Sequence, residues 1–188
     1  MQLAAALRWE PLTAFFVLVS MSWVKWPLFA AIGACGDVSC RRRIPGAALT
    51  ALGAAALAGL AVTLLKNVAD RARPPLADPT LQVVGSVPDS ASFPSGHSAT
   101  AFATAVAVGL AYPRMRVPLL ALAALVAVSR VYLGMHYWTD VVAGSLLGAA
   151  IGLATVGIVR LVRGGVRPRP CEQTPATVPV AEPERSAP

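Results

Sequence analysis

Charge is scarce in this chain and acid scarcer still: Asp, Glu, Lys and Arg make up 13% of it, with 9 acids against 16 Lys and Arg. Soluble domains carry nearer to about 25%, so a surface built to face water all round is excluded. The few carboxylates form no cluster with metal-ligand spacing. The three cysteines, Cys35, Cys40 and Cys171, form none either. A disulfide framework and a zinc site are thereby removed, and the cysteines read as buried bystanders. Histidine is rarer again, with His97 and His136 the two in the chain. Glu10 and Pro11 precede the first apolar run and no small-residue cleavage site follows it, so no cleaved leader is expected.

What fills the chain instead is apolar: 56% of the residues, with a mean hydropathy of +0.63. That composition points to a bilayer, and 188 residues point to one domain. Four apolar runs stand out: Ile44 to Leu65, Ser98 to Tyr112, Val117 to Val128 and Val141 to Val162. The first and last are long enough to span, at about twenty helical residues per hydrocarbon core. The middle two reach that length with their flanks, as Phe93 to Pro113 and Arg116 to Leu133. Gly144, Gly148 and Gly152 recur on one helix face, the small-residue spacing that lets membrane helices approach closely.

Nearer the N-terminus, Trp23, Lys25 and Trp26 read as an interface anchor with Lys25 snorkelling. A short interfacial helix from Pro11 to Ser20 and a span from Ser22 to Cys40 follow, a hairpin of two short spans being the alternative. The expected fold is all-α: an integral membrane bundle of about five transmembrane helices plus the N-terminal interfacial helix. Residues 1–21 form the interfacial segment, 22–163 the membrane domain and 164–188 a disordered tail, rich in Pro, Ala and Glu. The stretch from Asn67 to Phe93, with Pro74, Pro75, Pro79 and Pro88, is too long for a simple connection and is expected to cap a site.

The arginines set an orientation. Arg41 to Arg43 end the first span, Arg114 and Arg116 fill a later loop, and Arg160, Arg163, Arg167 and Arg169 follow the last span. Successive crossings put all of these on one side, which the positive-inside rule makes cytoplasmic. The net charge of +7 therefore reads as topology control and contact with anionic lipid, with no nucleic-acid partner expected.

On the opposite side three polar clusters interrupt the apolar chain, and ionisable groups at membrane depth point to function. Lys66 and Arg73-Pro74 supply a point charge and a planar fork, both suited to phosphate oxygens. The alternative for this cluster is that Lys66 and Arg71 merely snorkel to headgroups. Pro94-Ser95-Gly96-His97 opens a helix, where free N–H groups and a partial positive charge favour an anion. Ser129-Arg130 ends the next helix, with His136 and Asp140 across a short turn. With His136 at the start of the last helix, Asp140 lies one turn on along the same face. Its carboxylate can accept from one ring nitrogen and leave the other a better nucleophile. His136 is expected at an aqueous face rather than in packing.

The patterns Lys66-x6-Arg73-Pro74, Pro94-Ser95-Gly96-His97 and Ser129-Arg130-x5-His136-x3-Asp140 resemble the tripartite signature of the type 2 phosphatidic acid phosphatase and vanadium haloperoxidase superfamily. The resemblance covers roughly Ile44 to Val162. It implies that His136 is the nucleophile, His97 the acid for the leaving group, and Asp140 the residue orienting the nucleophile. It further implies that Lys66, Arg73, Ser95, Gly96 and Arg130 bind the substrate phosphate. The expected activity is that of a metal-independent membrane lipid phosphatase without a cofactor, working through a phosphohistidine at the extracytoplasmic face. A polyprenyl diphosphate or phosphate, or a phosphatidate-type lipid, is its expected substrate.

Three rivals stay open. A vanadate-dependent haloperoxidase shares the signature, though the membrane spans argue against it. A haem held between His97 and His136 would give a Soret band. A non-catalytic lipid binder would not need every signature position filled.

Overall fold

The computed structural model describes residues 9–21, 27–32, 34–35 and 46–163. Among these every regular element is helical: α1 (Glu10–Ser20), α2 (Gly46–Ala69), the single turn α3 (Pro74–Ala77), α4 (Gly96–Ala111), a 3-10 turn (Pro113–Met115), α5 (Arg116–Tyr132) and α6 (Trp138–Val162). Residues 27–32 and 34–35 are helical as well. Most of the span expected from Ser22 to Cys40 lies outside the described residues, as do Arg41 to Arg43 and the tail.

Among the described residues three segments are long and apolar enough to cross a membrane: Gly46–Ala77, Pro113–Tyr132 and Trp138–Val162. The expected count of five is not reached among the described residues, most of the Ser22 to Cys40 span lying outside them, and α1 and α4 are shorter apolar helices. Instead of running from Phe93 to Pro113, α4 is 16 residues long. Pro94 and the capping hydroxyl of Ser95 fix its start, and Pro113 cannot continue it.

Size, rather than polarity, separates the inside of this bundle from the outside. The inner face of α2 is alanine, with Ala51, Ala54, Ala55 and Ala58 buried. Its outer face carries Leu49, Leu52, Leu57, Leu60 and Leu64, all exposed. In lipid, apolar side chains gain nothing by turning inward, so small residues go where backbones must approach and large ones face the tails. α4 is the central helix, packed against α2, α5 and α6.

The pairing of α4 with α6 is the closest in register. Gly144, Gly148 and Gly152 lie against the backbone of Ser95, Ala99 and Ala103 respectively. Both series ascend together, so the two helices run parallel and begin at the same end of the bundle. The last turns of α2 and α5 reach that end too, bringing Lys66 and Arg130 to it. Arg114, Arg116, Arg160 and Arg163 belong to the other end, where the Arg163 guanidinium lies against Gly46. α1 packs on α5 near the first end: the Phe16 and Tyr132 rings are 4.7 Å apart, and Thr13 Oγ1 lies 3.1 Å from the Tyr132 hydroxyl.

Candidate active site

Four helix ends meet at one place, two contributing N-termini and two contributing cations. The N–H of Ser95 donates to the Asp140 carbonyl (3.0 Å), tying the start of α4 to the first turn of α6. Partial positive charge at both N-termini adds to the Lys66 and Arg130 charges placed at the C-termini of α2 and α5, where cations are favoured. The three sequence clusters are thereby one site.

Asp140 is its most heavily bonded side chain. It is 0% exposed, and a buried carboxylate persists only when its oxygens are satisfied. Oδ1 accepts from Arg71 Nη1 at 2.7 Å. Oδ2 accepts from Ser92 Oγ at 2.5 Å and from the Tyr137 N–H at 3.0 Å. The Tyr137 bond places Asp140 at the third position of α6, closing its N-terminus. His136 therefore lies in the turn before α6 rather than in its first turn, because Tyr137 is the cap and Trp138 the first helical residue. The spacing of four still brings His136 Nδ1 to 3.5 Å from Asp140 Oδ2.

His136 is 2% exposed, so it is buried rather than set at an aqueous face. The connection after α2 accounts for this: Arg73 and Ser92 both lie against the ring, with Arg73 Nη1 3.4 Å from Nε2 and Ser92 Oγ 3.4 Å from Nδ1. A guanidinium can only donate, so Nε2 carries the lone pair and Nδ1 the proton. Burial pushes the His136 imidazole below the ordinary histidine pKa. The hydrogen bond to Asp140 opposes that shift, while the charges of Arg73 and Arg130 add to it. Protonation then requires a pH below the usual histidine range, which favours the neutral ring.

The cations are held by the segment just ahead of α4. Lys66 Nζ donates to the Ala91 carbonyl (2.6 Å) and to Ser90 Oγ (3.1 Å). Arg73 donates from Nε to the Ser90 carbonyl (2.9 Å), from Nη2 to Ser90 Oγ (3.1 Å) and from Nη1 to the Met135 carbonyl (3.1 Å). Arg130 is buried, and its Nε has no hydrogen-bond partner among the described residues. Ser95 accepts from the Ser98 N–H and hydroxyl, which leaves its own proton to donate. His97 is half-buried in the first turn of α4. Beside Gly96 a Cβ would stand 3.4 Å from Val62, an ordinary contact, so protein packing does not demand a glycine there.

Every sequence-identified site residue thus belongs to this end of the bundle. Three residues that the sequence reading did not assign to the site join them: Arg71, Ser90 and Ser92. Arg71 does not snorkel to headgroups but bonds Asp140 and Thr139 and stacks 4.1 Å from the Tyr137 ring centroid. The available signal was weak, a second cation two residues before Arg73 and two serines shortly before Pro94. Among the described residues no group of three or more His, Cys, Asp or Glu is arranged to hold a metal.

Comparison with known proteins agrees on what this assembly resembles. Residues 47–163 match the profile of the PAP2 superfamily. The chain is 36% identical over 146 residues to a decaprenylphosphoryl-5-phosphoribose phosphatase of Mycobacterium tuberculosis, covering 76% of this chain and 73% of that one. It is 40% identical over 102 residues to a lipid A 1-phosphatase of Rhizobium johnstonii, covering 52% and 41%. The crystal structure of a transmembrane PAP2-type phosphatidylglycerolphosphate phosphatase from Bacillus subtilis superposes with a TM-score of 0.69 at 27% identity, covering 86% of this chain and 83% of that one.

Proposed function

From the premise that the chain belongs to the PAP2 superfamily, a membrane phosphatase of that type, we propose that it hydrolyses a polyprenyl-linked phosphate through a phosphohistidine on His136. The observation that carries this reading is the setting of His136: Nε2 lies beside the Arg73 guanidinium, and Nδ1 faces Ser92 and Asp140. In the first step Nε2 attacks phosphorus and the bond to the ester oxygen breaks. His97, as imidazolium, gives that oxygen its proton. In the second step water attacks the phosphohistidine, its proton passes to His97, the P–N bond breaks and inorganic phosphate leaves. Lys66, Arg73, Arg130, the Ser95 hydroxyl and the backbone at Gly96 bind the non-bridging oxygens. The unpartnered Nε of buried Arg130 supports this, since an unmade hydrogen bond at a buried donor costs about 1–3 kcal/mol that a phosphate oxygen recovers.

The polyprenyl assignment rests on the mycobacterial relative, which is 36% identical to this chain, against 27% for the phosphatidylglycerolphosphate phosphatase. It is tested by phosphate release from purified protein in detergent, in excess EDTA, across polyprenyl-linked phosphates, phosphatidate and phosphatidylglycerophosphate. Turnover should be highest on the polyprenyl substrates, untouched by the chelator and inhibited by orthovanadate. Release confined to glycerolipid phosphates removes the polyprenyl assignment, and activity restored only by added magnesium removes the metal-free mechanism.

The site faces the extracytoplasmic side on this reading, because the basic end of the bundle is opposite to it. In a background without native cysteines, Ser86→Cys in the connection after α3 should react with an impermeant maleimide on intact cells. Met115→Cys, at the basic end, should react only after lysis. The reverse pattern would place the site in the cytoplasm.

A further inference from the structure

One buried hydroxyl touches both the nucleophile and the carboxylate, and neither step of the reaction above gives it a role. Ser92 is 0% exposed, and its backbone N–H donates to the Arg71 carbonyl (2.7 Å), which fixes where its side chain stands. Its Oγ lies 2.5 Å from Asp140 Oδ2 and 3.4 Å from His136 Nδ1, while the direct separation of Nδ1 from Oδ2 is 3.5 Å. The proton assignments follow from donor and acceptor capacity. An ionised carboxylate only accepts, so the single Ser92 proton goes to Asp140. Ser92 can then only accept from His136, which requires the proton on Nδ1. Arg73, which can only donate to Nε2, demands the same tautomer from the other side of the ring.

We infer that Ser92 is a positioning residue for the phosphatase reaction: its hydroxyl relays the Asp140 carboxylate to His136 Nδ1–H, holding the ring in the tautomer and orientation that aim Nε2 at phosphorus. The direct His136–Asp140 contact is long for a hydrogen bond, and the serine bridges it with a 2.5 Å bond on one side. The segment carrying Ser92 is also the one that holds the cations, through Ser90 and Ala91. Nucleophile orientation and phosphate-binding charge are therefore set by three consecutive residues.

The inference rests on His136 being the nucleophile, and the experiment separates the two claims. Ser92→Ala in the full-length protein should lower kcat by about 10- to 100-fold, the scale seen when a partner of a functional histidine is lost. KM should stay within about threefold, since Ser92 touches no phosphate ligand's free donor. In an Asp140→Asn background the same change should cost less than about threefold, because a relay has no effect once its carboxylate is gone. 15N spectra of the imidazoles should show His136 as the Nδ1–H tautomer in the wild type and a gain of Nε2–H in Ser92→Ala. Full and multiplicative losses in both backgrounds, wild-type kcat in Ser92→Ala, or an unchanged tautomer would each overturn the relay. A silent Ser92→Ala beside an inactive His136→Ala would sink the relay alone. An active His136→Ala would instead remove the nucleophile assignment beneath it.

Discussion

Replacing His136 with Ala or Gln should reduce turnover by roughly 10⁴-fold or more, since loss of the proposed covalent nucleophile leaves only binding and electrostatic stabilisation. The Gln variant keeps most of the ring's volume, so its loss cannot be ascribed to a collapsed cavity at a buried position. Incubation with labelled substrate and rapid quenching should trap acid-labile, base-stable phosphate on the wild-type chain. Neither His136 variant should carry any. Turnover within tenfold of wild type in His136→Gln would mean that another group, or water directly, attacks phosphorus. His97→Ala should differ in kind: it removes the proposed proton donor, so the loss should be greatest where the leaving oxygen most needs that proton.

The second large effect belongs to a residue with no chemistry. A methyl group on Gly148 would overlap the Ala99 carbonyl oxygen and stand 2.7 Å from its carbon. The obstacle is backbone on a neighbouring helix, which has no rotamer to change, so α6 must move off α4. Overpacking of this kind costs about 1–3 kcal/mol even where side chains can adjust, against a total stability of only about 5–15 kcal/mol. Gly148→Leu should leave little folded protein in detergent extracts, and Gly148→Ala should lower the melting temperature by several degrees. Gly157 lies on the same helix, and a Cβ there meets nothing within 4 Å, so Gly157→Ala should be harmless. Equal melting temperatures for Gly148→Ala and Gly157→Ala would contradict the close approach of α4 and α6.

The contrast between these two positions marks what the sequence could say. Gly144, Gly148 and Gly152 were legible because a repeat of four is a helical face whatever it packs against. The signature residues were legible because their types and spacings suit phosphate. Arg71 and Ser92 were not, although they bond the same carboxylate as His136. Their partner is 69 residues from Arg71 and 48 from Ser92 along the chain, and no periodicity encodes a contact made by an irregular connection. The start of the last helix was misplaced for a related reason. His136 and Asp140 are four apart, which reads as one turn, but the Asp140 carboxylate caps the Tyr137 N–H and excludes His136 from the helix. The length of α4 was overestimated because flanking apolar residues were counted into it, while the prolines that bound it acted as stops.

The offset between the two parallel helices also sets how deep a substrate must reach. Ser95, which caps α4, lies against Gly144 and not against Trp138, where α6 begins. Six residues of helix rise about 9 Å, so α4 begins about that far along α6 from its first residue. For the lipid phosphate proposed above, the offset favours a phosphate that its tails already hold at depth in the bilayer over one that arrives from water.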